Sequence, residues 1–205
     1  NHNPLLNPVV SAVAILIGFL LLTGISYDAY FEGGQFVHFL LGPATVALAI
    51  PLHQQLSRLK RLWLPITVTL VSGVVIGAAT SVGIARLLGA SVQTQLSIAP
   101  KSVTTPVAMG ISEQIGGLPS LTVALVVVTG IIGAVIGTRL FELMGIEDDS
   151  VKGIAMGISA HGVGTARAFQ VSSHMGAFSG LAMALTAFAT AVMLPWLLRV
   201  IGMID

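Results

Sequence analysis

The chain has no cysteine, which excludes disulfides and thiolate metal sites. Charge is scarce as well. Asp, Glu, Lys and Arg make up 8% of its 205 residues, against about a quarter in soluble domains. Neither sign dominates: the formal net charge is +1, so there is no basic face for a nucleic acid partner and no acidic tail. No Ser-His-Asp order, P-loop or dinucleotide fingerprint is present, and no nucleophile–base set supports an enzyme. His161 and His174 are 13 positions apart with no third ligand nearby, so neither metal nor cofactor is expected. The apolar run from Val9 lacks a basic flank and a cleavage site, so no cleavable signal peptide is read there. The chain opens on Asn1 rather than Met, and a missing natural N-terminus is expected.

What is present is apolar. Hydrophobic residues make up 55% and the mean hydropathy is +0.95. The expected fold is an all-α polytopic membrane protein with about five full spans. After the short polar start Asn1–Asn7, the first apolar segment is Pro8–Ile25. Ser26–Gly34 carries Asp28, Glu32, Tyr27, Tyr30 and Phe31 and reads as an interfacial loop. Gln35–Gln54 is the second segment, with a kink or interruption expected at Pro43. Ser57–Trp63 holds Arg58, Lys60 and Arg61, the strongest basic cluster, which places it on the cytoplasmic face. Leu64–Leu88, Pro119–Met144 and Gly176–Ile201 complete the spans. Gly73 with Gly77, Gly130 with Ala134, and Gly133 with Gly137 form small-residue faces suited to helix packing. His38 and His53 read as structural or interfacial, Arg139 and Glu142 as a surface pair, and Glu147–Lys152 as an exposed turn.

Two polar inserts interrupt this pattern. The first is Ala99–Gly117 (APKSVTTPVAMGISEQIGG) and the second Gly153–Gln170 (GIAMGISAHGVGTARAFQ); AMGIS occurs in both, at 108 and 155. Each insert fits either a re-entrant hairpin or a broken helix that crosses fully. Arms of about ten residues reach roughly 15 Å, half the hydrocarbon core, which favours hairpins entering from opposite faces in inverted repeats. The corresponding division is scaffold helices over 1–63 and a transport core over 64–205. The core comprises repeat units 64–117 and 119–174 and a closing span 176–201. By analogy with other two-hairpin carriers, an elevator-like movement of the core against the scaffold is expected.

The breakpoints carry the chemistry. Pro106 reads as the first residue of a short helix, Thr105 as its N-cap, and a buried helix N-terminus is suited to an anion. The candidate substrate-binding residues are Lys101, Ser102, Thr104 and Thr105 at the first break. At the second they are His161, Gly162, Gly164, Thr165 and Arg167, with Thr165 capping the following arm. His161 titrates near physiological pH and is the first candidate for proton coupling; Glu113, the only carboxylate well inside the apolar region, is the second. Blander roles stay open. The hydroxyls can merely cap a broken helix while Lys101 snorkels, His161 can be a buried interhelical hydrogen-bonding residue, and Arg167 can pair with Glu113 or a lipid phosphate.

The runs PLLNP, LTGISYDAYFEGG, LLGPATVALAIPL, IAPKSVTTPVAMGISEQIGG and GIAMGISAHGVGTARAF resemble the LrgB/CidB-type membrane proteins, over essentially the whole chain. The plastid glycolate/glycerate translocator contains a domain of this family. The resemblance implies a secondary transporter of small monocarboxylates such as glycolate, glycerate or pyruvate. It equally implies the family's other description, a holin/antiholin-like oligomeric membrane protein modulating murein hydrolase export and cell lysis. It further implies one more hydrophobic segment upstream, a small LrgA/CidA-type membrane partner, a homo-oligomer in the lipid bilayer, and residence in a bacterial cytoplasmic (inner) membrane or, in a plant, the plastid envelope. Gln170 stands where the family commonly has glutamate, and Ser159-Ala160-His161 where relatives often read ASH.

Overall fold

The computed structural model describes residues 8–47, 53 and 56–204. The expectation for Asn1–Asn7 and that for the side chain of His38 lie outside the described residues; His53 is exposed. The described residues form the helices α1 Pro8–Thr23, α2 Tyr27–Ala47, α3 Leu56–Arg61, α4 Trp63–Leu87, α5 Val92–Ile98, α6 Thr105–Gln114, α7 Pro119–Leu143, α8 Asp149–Val171 and α9 Ser173–Val200.

Among the described residues three helices, α4, α7 and α9, are long and apolar enough to cross a membrane, rather than the five spans expected. At 16 residues, α1 reaches about 24 Å, short of the roughly 30 Å core. Helix α2 starts at Tyr27, so Ser26–Gly34 is not a loop. Ser26 Oγ accepts from the Ala29 N–H at 3.3 Å, Asp28 sits in the first turn where a carboxylate favours the helix dipole, and Tyr27 stacks on Phe31 one turn on. The same helix continues through position 43. A proline costs a helix one hydrogen bond and need not end it.

The two inserts fold back by different means. In the first, α5 and α6 are joined through the turn 99–104. Its base is tied by hydroxyls: Ser97 Oγ accepts from the Leu118 N–H at 2.8 Å, and Thr122 Oγ1 donates to the Ser97 carbonyl at 2.9 Å and meets Ser112 Oγ at 2.7 Å. In the second, α8 is 23 residues long. A straight helix of that length would hold its ends about 34 Å apart. Yet Ser172 Oγ donates to Asp149 Oδ2 at 2.6 Å, and Ser150 Oγ lies 3.1 Å from His174 Nε2. The helix therefore reverses, and it does so at His161, whose φ of 40° and ψ of −134° are not helical.

Between apolar helices in lipid, close packing supplies the attraction that water supplies elsewhere. Glycines allow it here. A Cβ at Gly130 would meet His161 Cε1 at 2.6 Å, and one at Gly137 would meet Met156 Sδ at 2.6 Å. Gly153 and Gly157 press the first arm of α8 onto the backbone of α9 at Met175 and Ser179. The first insert builds one core cluster with Val82, Val126, Leu194 and Leu198. The second builds another with Phe141 and Met175.

Helix α4 connects the two. Its N-terminal half, through Ile66 and Leu70, packs on Ile158 of α8, and its C-terminal half, through Ala78 and Val82, packs on the first insert. The breaks converge at its middle. Gly73 faces Ile158 and Gly77 faces Ser102 Oγ, four residues or about 6 Å apart along the axis.

Candidate functional site

The site lies where the breaks converge. A small cleft there is bounded by Gly73 and Gly77 of α4, Pro100 and Ser102 of the first turn, Ile158 of α8 and Thr186 of α9.

At the first break, the N-cap of α6 is Thr104 (φ −62°, ψ 146°), with Thr105 the first helical residue and Pro106 the second. The sequence reading is thus displaced by one residue. The residue before proline favours an extended backbone, but Thr105 is already helical and the extended residue is Thr104. The Thr104 side chain makes no capping hydrogen bond, and the N–H groups of the first turn have no intrahelical acceptors. Lys101 is half-buried, donates to Ser102 Oγ at 3.2 Å and lies within Coulombic reach of His161. The salt bridges of the described residues join Arg139 to Glu142 and Lys152 to Asp149, leaving Lys101 without a carboxylate among them.

At the second break, His161 is buried, and its Nε2 lies 2.9 Å from the Val126 carbonyl of α7. A carbonyl only accepts, so Nε2 carries the hydrogen and Nδ1 of the neutral ring is a bare acceptor. Gly130 makes the notch that the ring occupies. Thr165 is buried, and its hydroxyl reaches the His161 carbonyl at 2.8 Å, Ser179 Oγ at 2.9 Å and Met183 Sδ at 3.8 Å. It closes the reversal rather than capping the arm. Gly164 packs on Ala160 and the Met156 carbonyl across the two arms, while Gly162 is exposed. Arg167 sits six residues from His161, about 9 Å along the arm. Its Nη1 donates to Gln170 Oε1 at 3.1 Å, and its Nε is buried with no acceptor among the described residues.

The structure thus brings together Lys101 and Ser102 at the first turn, places Thr104 and Thr105 directly after it, and sets His161 against Val126 and Gly130 of α7. It does not bring Glu113 there. That residue is exposed near the far end of α6, at Gln114, because nine residues of chain separate it from Thr104. The expected Arg139–Glu142 pair is present and exposed, at 2.8 Å. Sequence reasoning missed the Val126 carbonyl, Ser179 and Thr186. The Val126 contact is backbone chemistry that any residue type provides, and its only trace in the sequence is the glycine at position 130. No cluster of potential metal ligands occurs among the described residues.

The spans and breaks share one step. Helices α4 and α7 are both 25 residues long and begin 56 residues apart, at 63 and 119. The same step carries Thr105, the first residue of α6, onto His161. AMGIS, repeating at 47, follows the first break and precedes the second, so it is out of register with the helices.

The profile of the LrgB-like family matches residues 1–200. The chain is 38% identical to the uncharacterized protein YwbG of Bacillus subtilis, over 94% of this chain and 85% of that one. It is 33% identical to the holin-like protein CidB of Staphylococcus epidermidis and 32% identical to that of Staphylococcus aureus, in each case over 96% of this chain and 86% of the relative. No solved structure matches it significantly. Three apolar helices and a match along nearly the whole chain lead to one conclusion: this is an integral membrane protein belonging to the LrgB-like family.

Proposed function

We propose that the protein is a secondary carrier of a small monocarboxylate, held between the two breaks. The single observation that carries this reading is a polar break set against α4: Ser102 lines the small cleft there, and half-buried Lys101 donates to its hydroxyl with no salt-bridged carboxylate among the described residues. Ionisable groups at membrane depth are expensive and mark ion or substrate pathways, and irregular backbone is tolerated there only where it lines a cavity. One carboxylate oxygen accepts from the first-turn N–H groups of α6 and from Ser102, Thr104 or Thr105. Lys101 supplies charge, and Arg167 Nε is a reserve donor. Gly162 and Gly164 let the second arm approach, and Thr165 fixes its angle.

Coupling follows from the tautomer. With Nε2 donating to Val126, neutral His161 turns a lone pair at Nδ1 toward any ligand and repels a carboxylate. A proton at Nδ1 converts it to a donor, so anion and proton bind together. Apparent affinity for glycolate is then highest at pH 5.5 and falls toward pH 8, and His161→Gln flattens that profile. Glu113 remains the alternative coupling group, acting from the membrane face.

The folded-back segments are re-entrant hairpins of inverted repeats 64–117 and 119–174. With the closing span they move as a core over 64–205 against the scaffold 1–63, which also carries the homo-oligomer contact. The 56-residue step and the approach to α4 from its two ends support this. In a chain free of native cysteine, Ser91→Cys and Gly145→Cys label from opposite faces of the membrane; labelling from one face contradicts the topology. The protein resides in the bacterial cytoplasmic membrane.

The names of the CidB relatives favour a second reading, a holin-like oligomer, possessing as material the apolar exterior of α1, where Leu21 and Leu22 are 79% and 91% exposed. Proteoliposomes separate the two. A carrier gives saturable uptake and counterflow of labelled glycolate or pyruvate and retains sucrose, whereas a pore releases sucrose as well.

A further inference from the structure

A second cavity lies away from the breaks. It has a volume of about 630 Å³ and lies between the start of α4 and the start of α8. Pro65 and Ile66 form one wall, Val151 and Ile154 the other, and Arg61 and Asp148 are the charged residues of its lining. Its size falls within the range of small-molecule sites, about 300–1,000 Å³. Its lining is mostly apolar, with Ser57, Thr69 and Ser150 as polar members and a charged pair of which the cation, Arg61, stands where α3 gives way to α4.

That end is a membrane interface by its chemistry. Arg61 is preceded by Lys60, both exposed, and followed by Trp63, 64% exposed, at the first residue of an apolar span. Tryptophan and basic residues at a span's end mark the headgroup level. An amphiphile with an anionic head and an apolar tail matches this order of groups, because basic pockets between spans retain acidic headgroups. Asp148 caps α8: its Oδ1 accepts from the Ser150 N–H at 2.7 Å, and the positive end of the helix dipole offsets part of its charge.

We propose that this cleft is a binding site for one anionic phospholipid. An acyl chain lies along Pro65, Ile66, Val151 and Ile154, and the headgroup phosphate rests on Arg61. The site is separate from the cleft at the breaks, and its test reads lipid retention rather than transport.

The test is lipid retention. Purified protein is reconstituted in nanodiscs of equal parts phosphatidylglycerol and phosphatidylethanolamine, re-extracted in mild detergent and examined by native mass spectrometry. The expected result is a protein–phosphatidylglycerol adduct several-fold more abundant than the phosphatidylethanolamine adduct. Arg61→Gln abolishes that preference. Val151→Trp, at a half-exposed wall position, reduces both adducts by filling the cleft. Arg139→Gln, removing an exposed arginine elsewhere, leaves the preference intact. Equal adducts in wild type, an unchanged preference in Arg61→Gln, or a second copy of the chain in place of lipid would overturn the proposal.

Discussion

The two polar inserts reach one shape by opposite means. The first spends a six-residue turn, with proline and hydroxyl residues, on reversing direction. The second reverses at a single residue, His161, in backbone geometry that favours glycine. The first is therefore relaxed where it turns and tied at its base by Ser97, Ser112 and Thr122. The second stores strain at its turn, about 1–3 kcal/mol, and is held by dense packing along both arms and by the Asp149–Ser172 clasp. A relaxed turn tolerates substitution; a strained one persists only because its surroundings over-determine it. Strain held on an ionisable residue at the meeting point of the helices is a feature that stability alone does not select.

The largest expected effect breaks the packing of the second insert. At Gly157→Ala the new methyl meets the Ser179 carbonyl and Ala182, and backbone cannot swing away as a side chain can. A loss of about 1–3 kcal/mol is expected, read as thermal unfolding in detergent. Gly110→Ala in the first insert meets nothing within 4 Å and should be neutral or stabilising by up to about 1 kcal/mol.

Next is the reversal itself. His161→Gly relieves the backbone and His161→Ala does not, so the glycine variant should be the more stable by about 1 kcal/mol, while both lose coupled transport. Equal stabilities would mean that position 161 carries no strain. At the first break, φ at Thr104 is −62°, and Thr104→Gly should show no such gain.

The bases of the inserts come third. Ser172 caps α9 by accepting from the Met175 N–H at 3.0 Å and also donates to Asp149. Ser172→Ala should cost about 0.5–2 kcal/mol. Ser91 caps α5 at an exposed position, 3.2 Å from the Thr94 N–H, and Ser91→Ala should sit at the low end of that range. Smallest of all is Arg139→Gln. Its partner Glu142 is exposed and one turn away, and such pairs contribute little, so the melting temperature should not move measurably.

Much of this was legible in the sequence. The spans read as Leu64–Leu88 and Pro119–Met144 are observed one residue earlier at each end or at one end, as Trp63–Leu87 and Pro119–Leu143, because apolar length is a local property. The second break, at His161, falls inside the expected stretch 160–164, and the first turn, 99–104, overlaps the expected 100–106, where proline and polar residues cluster. Three things were not legible. Glu113 looked central because it is the only acid in a long apolar stretch, but depth depends on where a chain turns, and α6 carries it away from the break. Thr165 looked like a cap because of its position after glycines, yet its hydroxyl bonds back to the His161 carbonyl four residues earlier and across to Ser179, a partner set by how α9 packs. The repeated AMGIS suggested a repeat register, whereas the helices follow a step of 56.

The central claim is that the breaks meet at the middle of α4 and hold the carboxylate between them. The most direct test uses the pair Ser102→Cys and Ile158→Cys, both at the small cleft and facing Gly77 and Gly73. In native membranes, with a short bifunctional thiol reagent, the pair should cross-link readily, and saturating glycolate, glycerate or pyruvate should slow the reaction at least severalfold while chloride does not. Absence of a cross-link, or a rate indifferent to every one of these acids, would contradict it.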